Sequence, residues 1–168
     1  MTEIEERLAS SERDAENLQE QVIAFIRSFG LLRPDNTPCG QPLSVSEAHA
    51  LRELSRLDGC SQTELGNVLQ LEKSTISRLV NQLKDKGWVE RDRDPDDGRA
   101  VRLRLTAQGQ RVAGQVAASR AAYFARIVEG IPPTERDGVI TAFQTVVKAL
   151  ESNDQSAGDG SQDERFRP

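Results

Sequence analysis

Three features of the sequence predict a mainly helical chain that carries one small β-hairpin. Apolar residues recur three and four positions apart through most of the chain up to Leu150. Capping patterns at Ser44 and Ser61 mark two helix starts, and the stretch around residues 88–105 switches to alternation.

Taken in order, the opening segment reads as one long helix over residues 1–30, with Ile4, Leu8, Ala15, Leu18, Val22, Ile26 and Phe29 three, four or seven residues apart. A Pro- and Gly-rich loop follows from Leu32 to Leu43. S-V-S-E then starts a helix near Ser44, with Leu51 and Leu54 on its buried side and His49 slightly over a turn inside it.

In S-Q-T-E, Ser61 caps a short helix and Glu64 reaches back to the cap amide. Leu65, Val68 and Leu69 give that helix its apolar side, and Gly66 permits close packing. After a turn at Leu71-Glu72, the run from Lys73 to Lys86 places Ile76, Leu79, Val80 and Leu83 on one meridian. The opposite side carries Ser74, Arg78, Asn81 and Asp85, flanked by Thr75 and Ser77. Gly87 ends the helix.

From Trp88 the alternation leads through D-R-D-P-D-D-G-R-A to Val101–Leu105, a β-hairpin broken at Pro95 and Gly98. Val101, Leu103 and Leu105 share a face expected to cover the helices, while Arg102 and Arg104 project to the other. Thr106 caps a further helix with Val112, Val116, Tyr123 and Ile127, and a last helix carries Val139, Phe143, Val146 and Leu150. Residues 151–168 are polar, without apolar periodicity, and are expected to be disordered.

Short helix, turn, second helix and charged hairpin over residues 44–106 follow the order of a winged helix-turn-helix, a DNA-reading lobe. Ser74, Thr75, Ser77 and Arg78 crowd the N-terminal turns of the second helix, the end that enters a major groove. Short hydroxyls allow close approach to phosphates or base edges, and a guanidinium spans the paired acceptors of guanine. Serines in a first turn also serve as caps. Arg99 at the wing tip fits a narrow minor groove, with Asp97 orienting it or capping the turn; a solvated charged loop is the plainer alternative.

The run S-T-I-S-R-L-V-N-Q-L-K-D-K-G-W-V-E-R, the D-x-R at Asp97 to Arg99 and L-T-A-Q-G from Leu105 together resemble the multiple-antibiotic-resistance regulator (MarR) family. Those motifs cover about 40 residues, and the flanking helices agree in order from Ile4 to Leu150. The resemblance implies an obligate homodimer, most often a repressor, that reads a partly palindromic operator in double-stranded DNA. It implies that Ser74, Thr75, Ser77 and Arg78 face the major groove, with Asn81 on the same side, and that Arg99, held by Asp97, enters the minor groove.

A dimer also follows from the apolar stripes. The first helix and the helices over 107–150 carry more apolar surface than one small lobe covers, so a second copy related by two-fold symmetry is the expected partner, against an intramolecular bundle. Two recognition helices about 34 Å apart then fall in successive major grooves.

The net charge of −5 is unevenly divided. Residues 73–104 hold nine Lys or Arg and six Asp or Glu, a local +3, whereas residues 1–29 hold three and seven, −4, and the tail from Glu151 two and five, −3. Phosphate binding depends on charge within a Debye length of about 8 Å, so the distant acidic groups are largely screened. Asp92, Asp94 and Asp96 lower non-specific affinity.

No apolar run approaches the roughly 18 residues of a membrane span, and T-E-I-E-E-R is too acidic for a secretory signal. Two cysteines are too few for a disulfide framework, which suits a reducing, cytoplasmic setting. Cys60 is expected in the core. Cys39 and the only histidine, His49, stand near the junction where the family's effectors act and are the candidates for an effector or redox site.

With Glu47 they offer three metal ligands, but a closed zinc site needs four, and Ala107–Phe124 supplies none. A metal-responsive regulator is thus an alternative to one released by a small aromatic or amphipathic effector or an oxidant. The family's peroxide sensors carry their cysteine in the first helix, and this first helix has none. Catalysis is disfavoured by a single histidine and the lack of H-E-x-x-H, C-x-x-C or a Gly-rich phosphate loop, and no cofactor is expected. A helical adaptor binding protein instead of DNA would have no use for the Ser-Thr face and Arg99.

Overall fold

The computed structural model describes residues 3–33, 35–57, 59–93 and 101–159. Its elements are α1 (Glu3–Phe29), α2 (Val45–Leu57), α3 (Gln62–Leu69), α4 (Lys73–Asp85), β1 (Val89–Arg93), β2 (Val101–Leu105), α5 (Ala107–Glu129), a 3-10 turn (Pro133–Glu135) and α6 (Arg136–Asp159). Residues through Ala122 form one compact unit and those from Tyr123 form another.

The first unit holds the core. Leu51 and Leu54 of α2, Leu65 of α3, Ile76, Leu79, Val80 and Leu83 of α4, and Leu103 of β2 are buried together, with Cys60 among them. Both expected capping boxes form: Ser44 with Glu47 on α2 (2.9 and 3.2 Å) and Ser61 with Glu64 on α3 (2.7 and 3.1 Å).

β1 and β2 pair antiparallel, with Arg91 opposite Leu103. Cys60 adds an isolated bridge on the other edge of β2 through reciprocal bonds with Leu103, Cys60 N to Leu103 O at 3.2 Å and Leu103 N to Cys60 O at 2.7 Å. This exchange fastens the hairpin to the α2–α3 connection.

Two side-chain expectations are corrected. Val68 is 53% exposed, because α3 turns its Leu65–Gly66 side inward: a Cβ on Gly66 would lie 3.4 Å from Ile76 Cγ2, and that close approach rotates Val68 out. Val101 is 49% exposed while Leu103 is 1% exposed, so the helical cover ends before the strand does. Arg102 and Arg104, which alternate with buried Leu103, are half-buried, since Arg102 Nη2 donates to Gly59 O at 3.0 Å and the Arg104 stem packs over Gly59.

The exit of α4 and the entry of α5 meet at one junction. Gly87, at φ +71°, closes α4 with bonds from Gly87 N to Lys84 O (2.8 Å) and Trp88 N to Leu83 O (2.9 Å). Thr106 Oγ1 donates to Gly87 O at 2.7 Å and accepts from Gly109 N at 3.0 Å, capping α5 as expected. A Cβ on Gly109 would stand 1.9 Å from Trp88 O.

α1 ends at Gly30 (φ +85°), where Leu31 N reaches Ile26 O at 3.2 Å. Ile26 and Phe29 are half-buried, and Leu18, Val22, Ile23 and Phe25 are exposed. The loop before α2 is ordered by itself: Thr37 is buried, and its Oγ1 accepts from Gln41 N at 3.0 Å. Gln41 Nε2 ties the loop to α5 through Ser119 Oγ at 2.7 Å.

In the second unit, Arg136 Nε donates to Ile131 O at 3.1 Å across the turn into α6. Along α6, Val139 and Val146 are half-buried and Ile140, Phe143, Val147 and Leu150 exposed. The expected loss of structure after Leu150 is corrected as far as Asp159, to which α6 continues. Adding a residue to a formed helix carries no nucleation cost, so a polar sequence free of Pro extends it. Residues 160–168 lie outside the described residues.

Gly109→Ala is expected to destabilise the fold, because overpacking against a backbone carbonyl costs about 1–3 kcal/mol or more and outweighs the roughly 1 kcal/mol that Ala gains over Gly in a helix. Gly114, with nothing within 4 Å of its added Cβ, is the control on the same helix. Denaturant midpoints should fall for Gly109→Ala and hold or rise for Gly114→Ala; equal shifts would refute the junction's tightness.

Candidate nucleic-acid interface

One face of α4 is fixed inward by its four buried residues, so the opposite face is fixed outward. Ser74, Thr75, Arg78 and Asn81 are exposed on it and Ser77 is half-buried at its margin. No side chain caps the N-terminus of α4, where Glu72 is the N-cap residue. Thr75 N and Ile76 N both turn back to Glu72 O at 2.9 Å, which leaves the Lys73 and Ser74 N–H groups without a side-chain cap at the end that carries the Ser74 and Thr75 hydroxyls. Asp97 and Arg99 lie outside the described residues.

Two basic residues beside this face differ in their partners. Lys86 is neutralised: its Nζ lies 2.6 Å from Glu47 Oε1 and 4.8 Å from the Trp88 ring centre. Glu47 is 4% exposed and also caps α2 through Oε2, so one carboxylate joins the start of α2 to the C-terminal end of α4.

Arg91 is the other. Its Nη2 donates to Gln62 Oε1 at 3.3 Å and to Asn81 Oδ1 at 3.5 Å, both neutral partners. Sequence reading passed over Arg91; the available signal was its place two residues after buried Val89, on the strand face turned toward α4.

The candidate effector residues are placed apart in their surroundings. Cys39 is half-buried, with its Sγ 3.1 Å from Thr37 Oγ1. His49 is exposed and lines an open cleft of about 280 Å³ with Val45, Ser46, Val68, Leu69, Gln70 and Leu71, a lining that does not include Cys39. Partial desolvation along the cleft, then the charges of Arg52 and Arg120, hold the His49 imidazolium below its usual pKa, against a weaker opposing pull from Glu53. Glu47, the third candidate ligand, is occupied by Ser44 N and Lys86. No group of three or more His, Cys, Asp or Glu suited to a metal occurs among the described residues. Cys60 is buried as expected, and desolvation pushes its thiol pKa up.

Comparison with known proteins gives this geometry its setting. A MarR family model matches residues 41–100, the segment from the end of the first loop to the wing. BilQ of Clostridioides difficile (strain CD3), an HTH-type transcriptional regulator, is 30% identical over 110 residues, 61% of this chain and 72% of BilQ. The chain belongs to the MarR family.

A second relative, the uncharacterized HTH-type transcriptional regulator YdgJ of Bacillus subtilis (strain 168), is 35% identical over 68 residues, 40% of this chain and 42% of YdgJ. The chain thus aligns with less than half of that relative's length. FabT of Streptococcus pneumoniae, solved in complex with DNA, superposes with a TM-score of 0.64 at 22% identity over 84% of this chain and 98% of FabT. At that identity the likeness shows the fold. The MarR chain carries the winged helix-turn-helix fold of DNA-binding transcriptional regulators. No described helix is long and apolar enough to cross a membrane.

The lowered His49 pKa sets a direction for acid sensitivity. A folded state that binds a proton less readily than the unfolded chain keeps that contribution to stability above the ordinary value of 6.5. It loses the contribution as pH falls through the folded value. Between pH 7.5 and 5, the parent is expected to lose more unfolding free energy than His49→Gln, as measured by urea denaturation. Identical losses would remove His49 from the acid response.

Proposed function

We propose that this MarR-family chain is a sequence-specific transcriptional repressor that binds a palindromic DNA operator as a homodimer in the cytoplasm. The observation that carries the reading is the outward face of α4, where hydroxyls and one guanidinium surround an uncapped helix N-terminus. In this reading Ser74, Thr75, Ser77 and Asn81 approach the major groove with α4, and Arg78 makes paired bonds to a guanine. Arg99, oriented by Asp97, occupies the flanking minor groove.

Homodimerisation is supported by the apolar residues left exposed on α1, including Leu18, Val22 and Phe25, and on α6, including Phe143 and Leu150. Surfaces of that kind on a soluble regulator call for a partner helix, and a second copy supplies both by symmetry. Release of the operator follows binding of a small amphipathic effector. The cleft at His49 supports this part of the reading, since it adjoins the turn between α3 and α4. No enzymatic role is proposed.

The test begins with selection of bound fragments from the source genome, followed by anisotropy titrations on the recovered site. Arg78→Ala should lose about 1–3 kcal/mol of binding per half-site and accept other bases at one step in each. If Arg78→Ala discriminated among bases as well as the parent, the readout role assigned to Arg78 would be wrong.

A further inference from the structure

Arg91 sits where three elements of the lobe meet: it belongs to β1, and its guanidinium reaches Gln62, the first residue of α3, and Asn81 on the outward face of α4. Asn81 lies three residues from Arg78 on that face, so the Arg91 charge stands beside the surface already described.

Its contacts differ from those of its basic neighbours. Lys86 is held by a carboxylate and Arg102 by a backbone carbonyl. Arg91 is exposed, and among the described residues it has no ion pair. The hydrogen bonds it makes are long, both come from Nη2, and both go to neutral amide oxygens. A guanidinium has five N–H donors in a planar fork, and among the described residues only Nη2 of Arg91 is engaged, so the other donors can take a phosphate without breaking the link to α4. Exchange of a neutral, water-exposed partner for an anionic one shortens and strengthens such bonds.

Resting on the DNA-binding reading above, we infer that Arg91 is a backbone-phosphate anchor that sets the depth of α4 in the groove, held ready by Gln62 and Asn81. It is a positioning contact and carries no base preference. The chemistry it recognises is the phosphodiester of duplex DNA, next to the base read by Arg78.

The experiment is anisotropy titration of the full chain with the selected site and with an unrelated duplex, each at several salt concentrations. Arg91→Ala should lower affinity by the same factor on both duplexes and make the plot of log K against log salt shallower by about 1.8 for the dimer, about 0.9 for each of its two phosphate contacts. Arg91→Lys keeps the charge and should keep the parent's slope. The melting midpoint of each variant without DNA separates charge loss from misfolding.

An unchanged slope in Arg91→Ala with the parent binding normally would overturn the inference and leave the DNA-binding reading intact. Loss in Arg91→Lys equal to that in Arg91→Ala would overturn it as well, by showing that shape and not charge matters. A parent that binds neither duplex would overturn the functional reading, and this inference with it.

Discussion

The constraint on which the lobe depends is the burial of Ile76, Leu79, Val80 and Leu83 from α4 against α2, α3 and the hairpin. Each such side chain contributes about 1.5–3 kcal/mol on full burial. A helix rotated by even one residue's 100° would expose part of the stripe and bury Ser77 or Thr75 in its place. The rotation of α4 is therefore locked by apolar packing, and the identity of the outward face follows. The residues proposed to touch DNA need no device of their own to point outward.

Locking rotation leaves the position of α4 along its axis to be set, and polar groups at its C-terminal end do this. Glu47 bonds Ser44 N with one oxygen and Lys86 with the other, so the start of α2 and the end of α4 share a buried carboxylate. A buried charge is costly unless it is paired and hydrogen-bonded, and here the Ser44 amide and the Lys86 ammonium each give one carboxylate oxygen a donor. Beside it, Gly87 bends the chain into the wing, and Thr106 and Gly109 bring the start of α5 onto the Gly87 and Trp88 carbonyls. A displacement of α5, which also holds the first loop through Ser119 and Gln41, would be felt at the base of the wing.

What could be read from the sequence was whatever short range determines. The capping boxes at Ser44 and Ser61, the stripe of α4, the stop at Gly87 and the cap at Thr106 each depend on residues within one or two turns, and each formed. Cys60 was legible as core because a small apolar thiol precedes a capped helix; its strand-like exchange with Leu103 was not, since that pairing spans more than forty residues. Val68 and Val101 misled for a related reason. Periodicity names an apolar side, but the close approach allowed by Gly66 and the extent of helical cover decide which members of it are buried. Arg91 and Lys86 were invisible as a contrasting pair, because the difference between them lies in a carboxylate on another helix. The helix beyond Leu150 went unread because propagation continues through sequence that would not nucleate.

The central claim is that the outward face of α4 reads the major groove of two half-sites, and methylation interference on the selected site tests it most directly. Dimethyl sulfate marks guanine N7 in the major groove and adenine N3 in the minor groove, so the two grooves report separately. The account expects guanine methylation to block binding in two clusters separated by about one helical turn, 10–10.5 base pairs. Interference confined to adenines, or guanine methylation without effect, would contradict it.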